Sequence, residues 1–268
     1  MAQDELPTPI SDAEPVPPIG DIDDAFPVWT GWDVVKITII AIVSLVFFSL
    51  LTLMVATGLP MFKALSLKDL STDARLAVIS QFFAYVATFW FVYRLIARHY
   101  SVNLAFGLHW RWPRTKWLAF LLGGVVIALA IQAISRFLPI PRQMPIDQFF
   151  KTPAAAWSLA IFGTFIAPLA EELYFRGLLF PVLKRSAGMN GSLIITAFGF
   201  ALLHAAQLGM AWAPLLVLFI VGLALTMVRA ATHSLASSTL VHVGYNATLF
   251  GLLYASTSGF RHLEKALQ

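Results

Sequence analysis

Ala167-Pro168-Leu169-Ala170-Glu171-Glu172-Leu173-Tyr174-Phe175-Arg176-Gly177-Leu178-Leu179 sets two adjacent carboxylates inside an otherwise apolar helical stretch. An ionised group at mid-membrane costs about 2.5–3.5 kcal/mol on insertion scales, so two in succession require partners and point to function. On a helix, Glu172 and Arg176 stand at i and i+4 with the glutamate N-terminal, an arrangement that favours an ion pair. Glu171 is rotated by about 100° from its neighbour and faces different surroundings. The pair thus divides into one member expected to be structural and one left available for chemistry.

The rest of the chain shows what solvates this helix. Its 268 residues are 59% hydrophobic and 12% charged, against roughly 25% charged in an ordinary soluble domain. Several apolar stretches reach about 20 residues, enough to cross roughly 30 Å of hydrocarbon. The fold class is therefore all-α, a polytopic transmembrane helical bundle of about seven spans with the catalytic core in the last four. The spans are expected near 34–57, 76–97, 117–134, 154–180, 192–208, 212–229 and 235–255. There is no cysteine, which excludes disulfides, thiolate nucleophiles and Cys-ligated zinc.

Composition divides the chain into four parts. Residues 1–30 hold seven of the fourteen carboxylates and no Lys or Arg, and read as a disordered acidic, proline-rich tail. Residues 31–153 supply the N-terminal membrane helices and a linker, 154–256 the helical core with the glutamates, and 257–268 a polar tail. Trp29 and Trp32 are expected as interfacial anchors, and Gly123-Gly124 as a close helix contact. Arg94, Arg98, Arg111, Arg114 and Lys116 place their loop on the cytoplasmic side by the positive-inside rule. His99, His109 and His233 are expected at the interface. The net charge of +4 comes with basic residues lying mostly between spans, where they meet lipid head groups, and no nucleic-acid partner is expected.

Two further motifs fall on apolar helices, Phe200-x-x-x-His204 and His242-x-x-x-Asn246. Both use i,i+4 spacing, so three helices can present polar groups to one interior point. Phe200 and Tyr174 read as core or lipid-facing aromatics. Two chemistries stand open. Glu171 and His204 can polarise a water while His242 and Asn246 donate hydrogen bonds to a developing oxyanion, or Glu171, His204 and His242 can ligate zinc. Two readings from other classes use the same cluster. In a proton-coupled transporter Glu171 and Glu172 titrate while His204 and His242 relay protons. In a non-catalytic membrane regulator the buried polar groups specify helix pairing.

Taken together and in this order, Glu171-Glu172-x-x-x-Arg176, Phe200-x-x-x-His204 and His242-x-x-x-Asn246 resemble the motif set of the CPBP family, the CaaX-protease and bacteriocin-processing intramembrane proteases, also called Abi. The resemblance covers about residues 155–255. It implies an intramembrane endopeptidase in which Glu171 and His204 activate the attacking water, Glu172 and Arg176 support the site, and His242 with Asn246 stabilises the oxyanion. Metalloprotease labels and a metal-independent glutamate mechanism both occur in the family, so the cofactor stays open between zinc and none. The partners implied are the lipid bilayer and a membrane-embedded or lipidated protein or peptide substrate, CaaX-type included. The bacterial inner membrane is the expected location. No His-Glu-x-x-His, Gly-x-Ser-x-Gly or Gly-x-Gly-Asp string is present, so the chemistries those motifs carry are not expected.

Overall fold

Several helix starts in this chain, those at Gly31, Ala74, Pro153 and Leu235, follow polar residues that satisfy the first free N–H groups. A computed structural model describes residues 29–266. The expected acidic tail therefore lies, apart from residues 29 and 30, outside the described residues. Thr30 and Asp33 form a reciprocal capping box that opens α1 (Gly31–Gly58). Asp73 accepts from the N–H groups of Arg75 and Leu76 and opens α2 (Ala74–Leu95), which continues through a π-helical turn, Ile96–Tyr100. A loop leads to α3 (Trp117–Ser135).

Thr152, followed by Pro153 in the first turn, opens α4 (Pro153–Ile161). The helical path then runs through a π turn (Phe162–Ile166), α5 (Ala167–Glu172), a second π turn (Leu173–Leu179) and α6 (Phe180–Leu203). Two helices complete the bundle, α7 (Trp212–Thr232) and α8 (Leu235–Ser256). No strand occurs among the described residues.

Among the described residues, five helical stretches are long and apolar enough to cross a membrane: 31–58, 74–100, 117–135, 153–203 and 212–232. The chain is an integral membrane protein with a polytopic helical bundle. The sequence-based count of seven differs from five in two places. The spans expected near 154–180 and 192–208 fall largely within the single stretch 153–203, whose helical path is not straight. Gly188 has φ 67° and ψ −179°, a conformation that glycine adopts without Cβ strain. The rings of Phe175 and Phe200 meet at 5.5 Å, whereas one straight helix would hold residues so far apart in sequence about 37 Å apart. The two legs therefore run back along each other. The second place is α8, which has spanning length but carries Ser237, Ser238, Thr239, His242 and Asn246.

The expected glycine contact is made by one residue of the pair. A Cβ on Gly124 of α3 would lie 2.1 Å from the carbonyl oxygen of Val241, and one on Gly244 of α8 would lie 2.1 Å from that of Leu121. The two helices thus cross with backbone against backbone, as small residues permit in membranes. Gly123 has nothing within 4 Å. Outward faces remain apolar: Ile39, Val43, Val46 and Leu50 of α1 are exposed, as lipid contact requires.

Two expectations of interfacial placement are corrected. Trp29 is fully buried, its ring 5.3 Å from that of Tyr100, because the cap turn at Thr30 directs it under the end of α2. Trp32, by contrast, is 66% exposed. His109 is buried too, and its carbonyl accepts from Leu235 N–H at the start of α8.

Candidate active site

Glu172 lies at the end of α5 with no exposed surface. Its Oε1 accepts from Arg176 Nη1 at 2.8 Å and from His242 Nδ1 at 3.0 Å. Arg176 is equally buried, and a guanidinium with five donors needs more than one acceptor. Nη2 donates to the carbonyl of Gly222 at 2.8 Å and Nε to Thr226 Oγ1 at 3.2 Å, both on α7. The guanidinium also lies 4.7 Å over the ring of Phe200, a favourable cation–π arrangement once water is excluded. Glu172 and Arg176 therefore tie α5, α7 and α8 together at one buried point.

Glu171 faces elsewhere. Its side chain is 12% exposed, with Oε2 3.7 Å from His242 Nε2 and Oε1 3.9 Å from His204 Nε2. His204 caps the C-terminus of α6, and its Nδ1 lies 2.9 Å from the carbonyl of Phe200. A carbonyl can only accept, so the hydrogen-bond pattern assigns the proton to Nδ1 and leaves the Nε2 lone pair toward Glu171. The same reasoning assigns a proton to His242 Nδ1, which donates to the Glu172 carboxylate. The separations from Glu171 are too long for direct hydrogen bonds and suit a shared water.

Asn246 is one turn beyond His242 on α8. Its Nδ2 donates to the carbonyl of Gly163 at 2.6 Å. The reason lies in the first π turn, where Ala167 N–H bonds to Phe162 O, five residues back. The next N–H in that pattern would serve Gly163, but residue 168 is proline and has none. The side-chain amide of Asn246 fills the missing donor. Widened turns of this kind recur at functional sites.

Glu171, His204, His242 and Asn246 line one cavity of about 720 Å³. Gln81 of α2 and Phe162 also line it, so the N-terminal helices form part of its wall. The structure thus brings the six sequence-singled residues together in two layers. Glu172 and Arg176 lie behind, and Glu171, His204, His242 and Asn246 face the cavity. Gly222 and Thr226, the acceptors for Arg176, and Gly163 were not singled out from sequence. The first two are a small residue and a hydroxyl at i,i+4 on an apolar helix, a pattern too common to mark them. Phe200, read as a core or lipid-facing aromatic, is buried and also carries the Arg176 guanidinium.

The donor types of Glu171, His204 and His242 are those of a zinc site. Among the described residues, however, no group of three or more His, Asp or Glu is disposed to hold a metal ion. Donors held at about 2.0–2.2 Å around tetrahedral zinc lie about 3.4 Å from one another, and the carboxylate of Glu171 is 3.7 Å and 3.9 Å from the two imidazoles through different oxygens. As arranged, the three side chains stand a few tenths of an ångström wider than a zinc ligand set.

Within a polytopic helical bundle, a buried glutamate–arginine pair thus backs a cavity lined by carboxylate and imidazole groups. The family model described as Type II CAAX prenyl endopeptidase Rce1-like matches residues 153–248, a segment that contains all six residues. This segment, about a third of the chain, is thus similar to the CaaX-protease family that the sequence motifs resemble. The match supports, in general terms, a CaaX-type intramembrane protease. No curated protein and no solved structure matches the chain.

Proposed function

We propose that the chain is an intramembrane endopeptidase that hydrolyses a peptide bond of a membrane-associated or CaaX-type substrate, with Glu171 as the general base. The observation that carries this reading is the position of Glu171, 12% exposed at the cavity wall and facing Nε2 of both His204 and His242. A water held by Glu171 and the His204 Nε2 lone pair loses its proton to Glu171 as its oxygen attacks the substrate carbonyl. The carbonyl π electrons move onto oxygen, and the resulting oxyanion accepts from the second N–H of the Asn246 amide. Collapse of the intermediate re-forms the carbonyl, breaks the C–N bond and passes the proton from Glu171 to the leaving nitrogen. Glu172 and Arg176 hold His242 and the helices in place and take no part in proton transfer.

The cavity volume falls in the range of sites that enclose small ligands, which suits a short unwound stretch of peptide. The bacterial inner membrane is the proposed location, in keeping with the family resemblance. The deciding experiment is cleavage of a prenylated CaaX peptide by the purified protein in nanodiscs, beside Glu171→Gln. Loss of cleavage by about 10²-fold or more in a folded variant supports the general-base role. Undiminished cleavage by Glu171→Gln would overturn it.

A further inference from the structure

α2 contributes to the wall of the Glu171 cavity although it lies outside the segment that the family model matches. Its polar side chains differ in how they are satisfied. Ser80 donates to the carbonyl of Ala77 and Thr88 to that of Ala84, so both hydroxyls are absorbed by their own helix. Gln81 is not absorbed in this way. A carboxamide carries two donor hydrogens and an acceptor oxygen, and Gln81 uses one of them, donating from Nε2 to the Tyr85 hydroxyl at 2.8 Å. Its other N–H and its Oε1 have no partner among the described residues, and the residue lines the same cavity as Glu171, His204 and Asn246.

A glutamine that served to pair helices would bond across to a neighbour. Gln81 bonds within α2, one turn ahead of Tyr85, and Tyr85 is itself fixed by its ring, which stacks on that of Phe162 at 5.8 Å and 14°. Phe162 opens the π turn whose Gly163 carbonyl holds Asn246. Tyr85 also lies within electrostatic reach of the Glu171 carboxylate. The pair is thus tied to the polar centre from the side of α2.

A substrate segment that unwinds inside the membrane frees main-chain N–H and C=O groups, and each is costly when left unpaired in apolar surroundings. In the proposed hydrolysis Glu171, His204 and Asn246 serve the reacting water and carbonyl, and none of them serves the peptide units on either side. An extended residue can exchange both its N–H and its C=O with one partner on the same side. The free N–H and Oε1 of one carboxamide match that pair.

We propose that Gln81 binds the substrate main chain, its carboxamide pairing with the N–H and C=O of one extended residue next to the scissile bond, and that Tyr85 is the positioning residue that holds it there. Its place next to the scissile bond rests on the hydrolytic reading of the cavity, whereas the pairing itself is measurable without turnover.

Binding of a fluorescent prenylated CaaX peptide to the full chain in nanodiscs is measured in the Glu171→Gln background. Analogues replace one main-chain N–H at a time, along the stretch that flanks the scissile bond, by an ester oxygen. At one position the ester weakens binding about fivefold, as the loss of one hydrogen bond does, and in Gln81→Leu the same ester costs nothing further. Tyr85→Phe keeps the stack on Phe162 and releases the amide, so binding weakens and the effect of the ester shrinks. A purely structural role would shift stability and leave the effect of the ester intact. Where Gln81→Leu fails to fold with the Tyr85 hydroxyl unpartnered, Gln81→Leu/Tyr85→Phe removes both ends and carries the same test. Ester and Gln81→Leu effects that add at every position would overturn the proposal, as would failure of the peptide to bind. Coupled binding in a protein with no Glu171-dependent cleavage would instead overturn the hydrolytic reading and leave the peptide site standing.

Discussion

Asn246 is held by the carbonyl of Gly163, and that carbonyl is available because Pro168 cannot donate to it. The proline thus acts at a distance, through the hydrogen-bond arithmetic of its helix, on a side chain of another helix. Pro168→Ala restores an N–H that competes with Asn246 for Gly163. The loss of one such hydrogen bond is worth about 1 kcal/mol, so turnover is expected to fall about fivefold while the melting temperature holds or rises, since alanine is the better helix former. Paired turnover and thermal unfolding measurements check this. A fall in melting temperature with unchanged turnover would contradict it.

Glu172 and Arg176 form an ion pair at 2.8 Å with neither side chain exposed. Removing one member leaves the other charged and unpaired in an apolar interior, at a cost of about 3–5 kcal/mol. Glu172→Gln and Arg176→Met should each lower the melting temperature sharply or abolish recovery of folded protein. The double variant should recover much of that stability, because the isolated charge is gone. It should not recover cleavage, because His242 no longer has a carboxylate at Nδ1. Unfolding curves of the three variants, with cleavage assays on those that fold, test both halves.

His204 and Glu171 should separate from that pair in a stability assay. Both line the cavity, and neither is tied into the Arg176 network. Glu171→Gln and His204→Ala are expected to lower cleavage by about 10²–10⁴-fold with melting temperatures close to that of the unaltered protein. A large drop in stability in Glu171→Gln would show instead that the carboxylate is a packing element.

Much of this site is legible in the sequence for a geometric reason. Glu172 with Arg176, and Phe200 with His204, stand four residues apart, and that spacing keeps two side chains on one helix face even where the turn widens to a π-helix, as it does after Glu172. The acceptors of Arg176 are not legible, because Gly222 and Thr226 look like ordinary members of an apolar helix. The role of Asn246 depends on a missing N–H on another helix, which no local pattern reports. The fit to zinc also escapes spacing, since it turns on side-chain separations of a few tenths of an ångström. Trp29 reads as an interfacial anchor from its place before an apolar run. Only the cap turn at Thr30 and the fold of α1 against α2 turn it inward.

The crossing of α3 and α8 permits a prediction with an internal control. At Gly124 and Gly244 an added Cβ would meet backbone atoms at 2.1 Å, and backbone cannot rotate away as a side chain can. Gly124→Ala and Gly244→Ala must push the helices apart, at a cost at or above the roughly 1–3 kcal/mol typical of overpacking. Because α8 carries His242 and Asn246, the displacement should also reduce cleavage in whatever fraction folds. Gly123→Ala adds the same methyl group one residue away, where nothing lies within 4 Å, and exchanges glycine for a better helix former. It should be neutral or slightly stabilising. Melting temperatures of the three variants decide the matter: equal effects at 123 and 124 would mean that the two helices do not meet through these glycines.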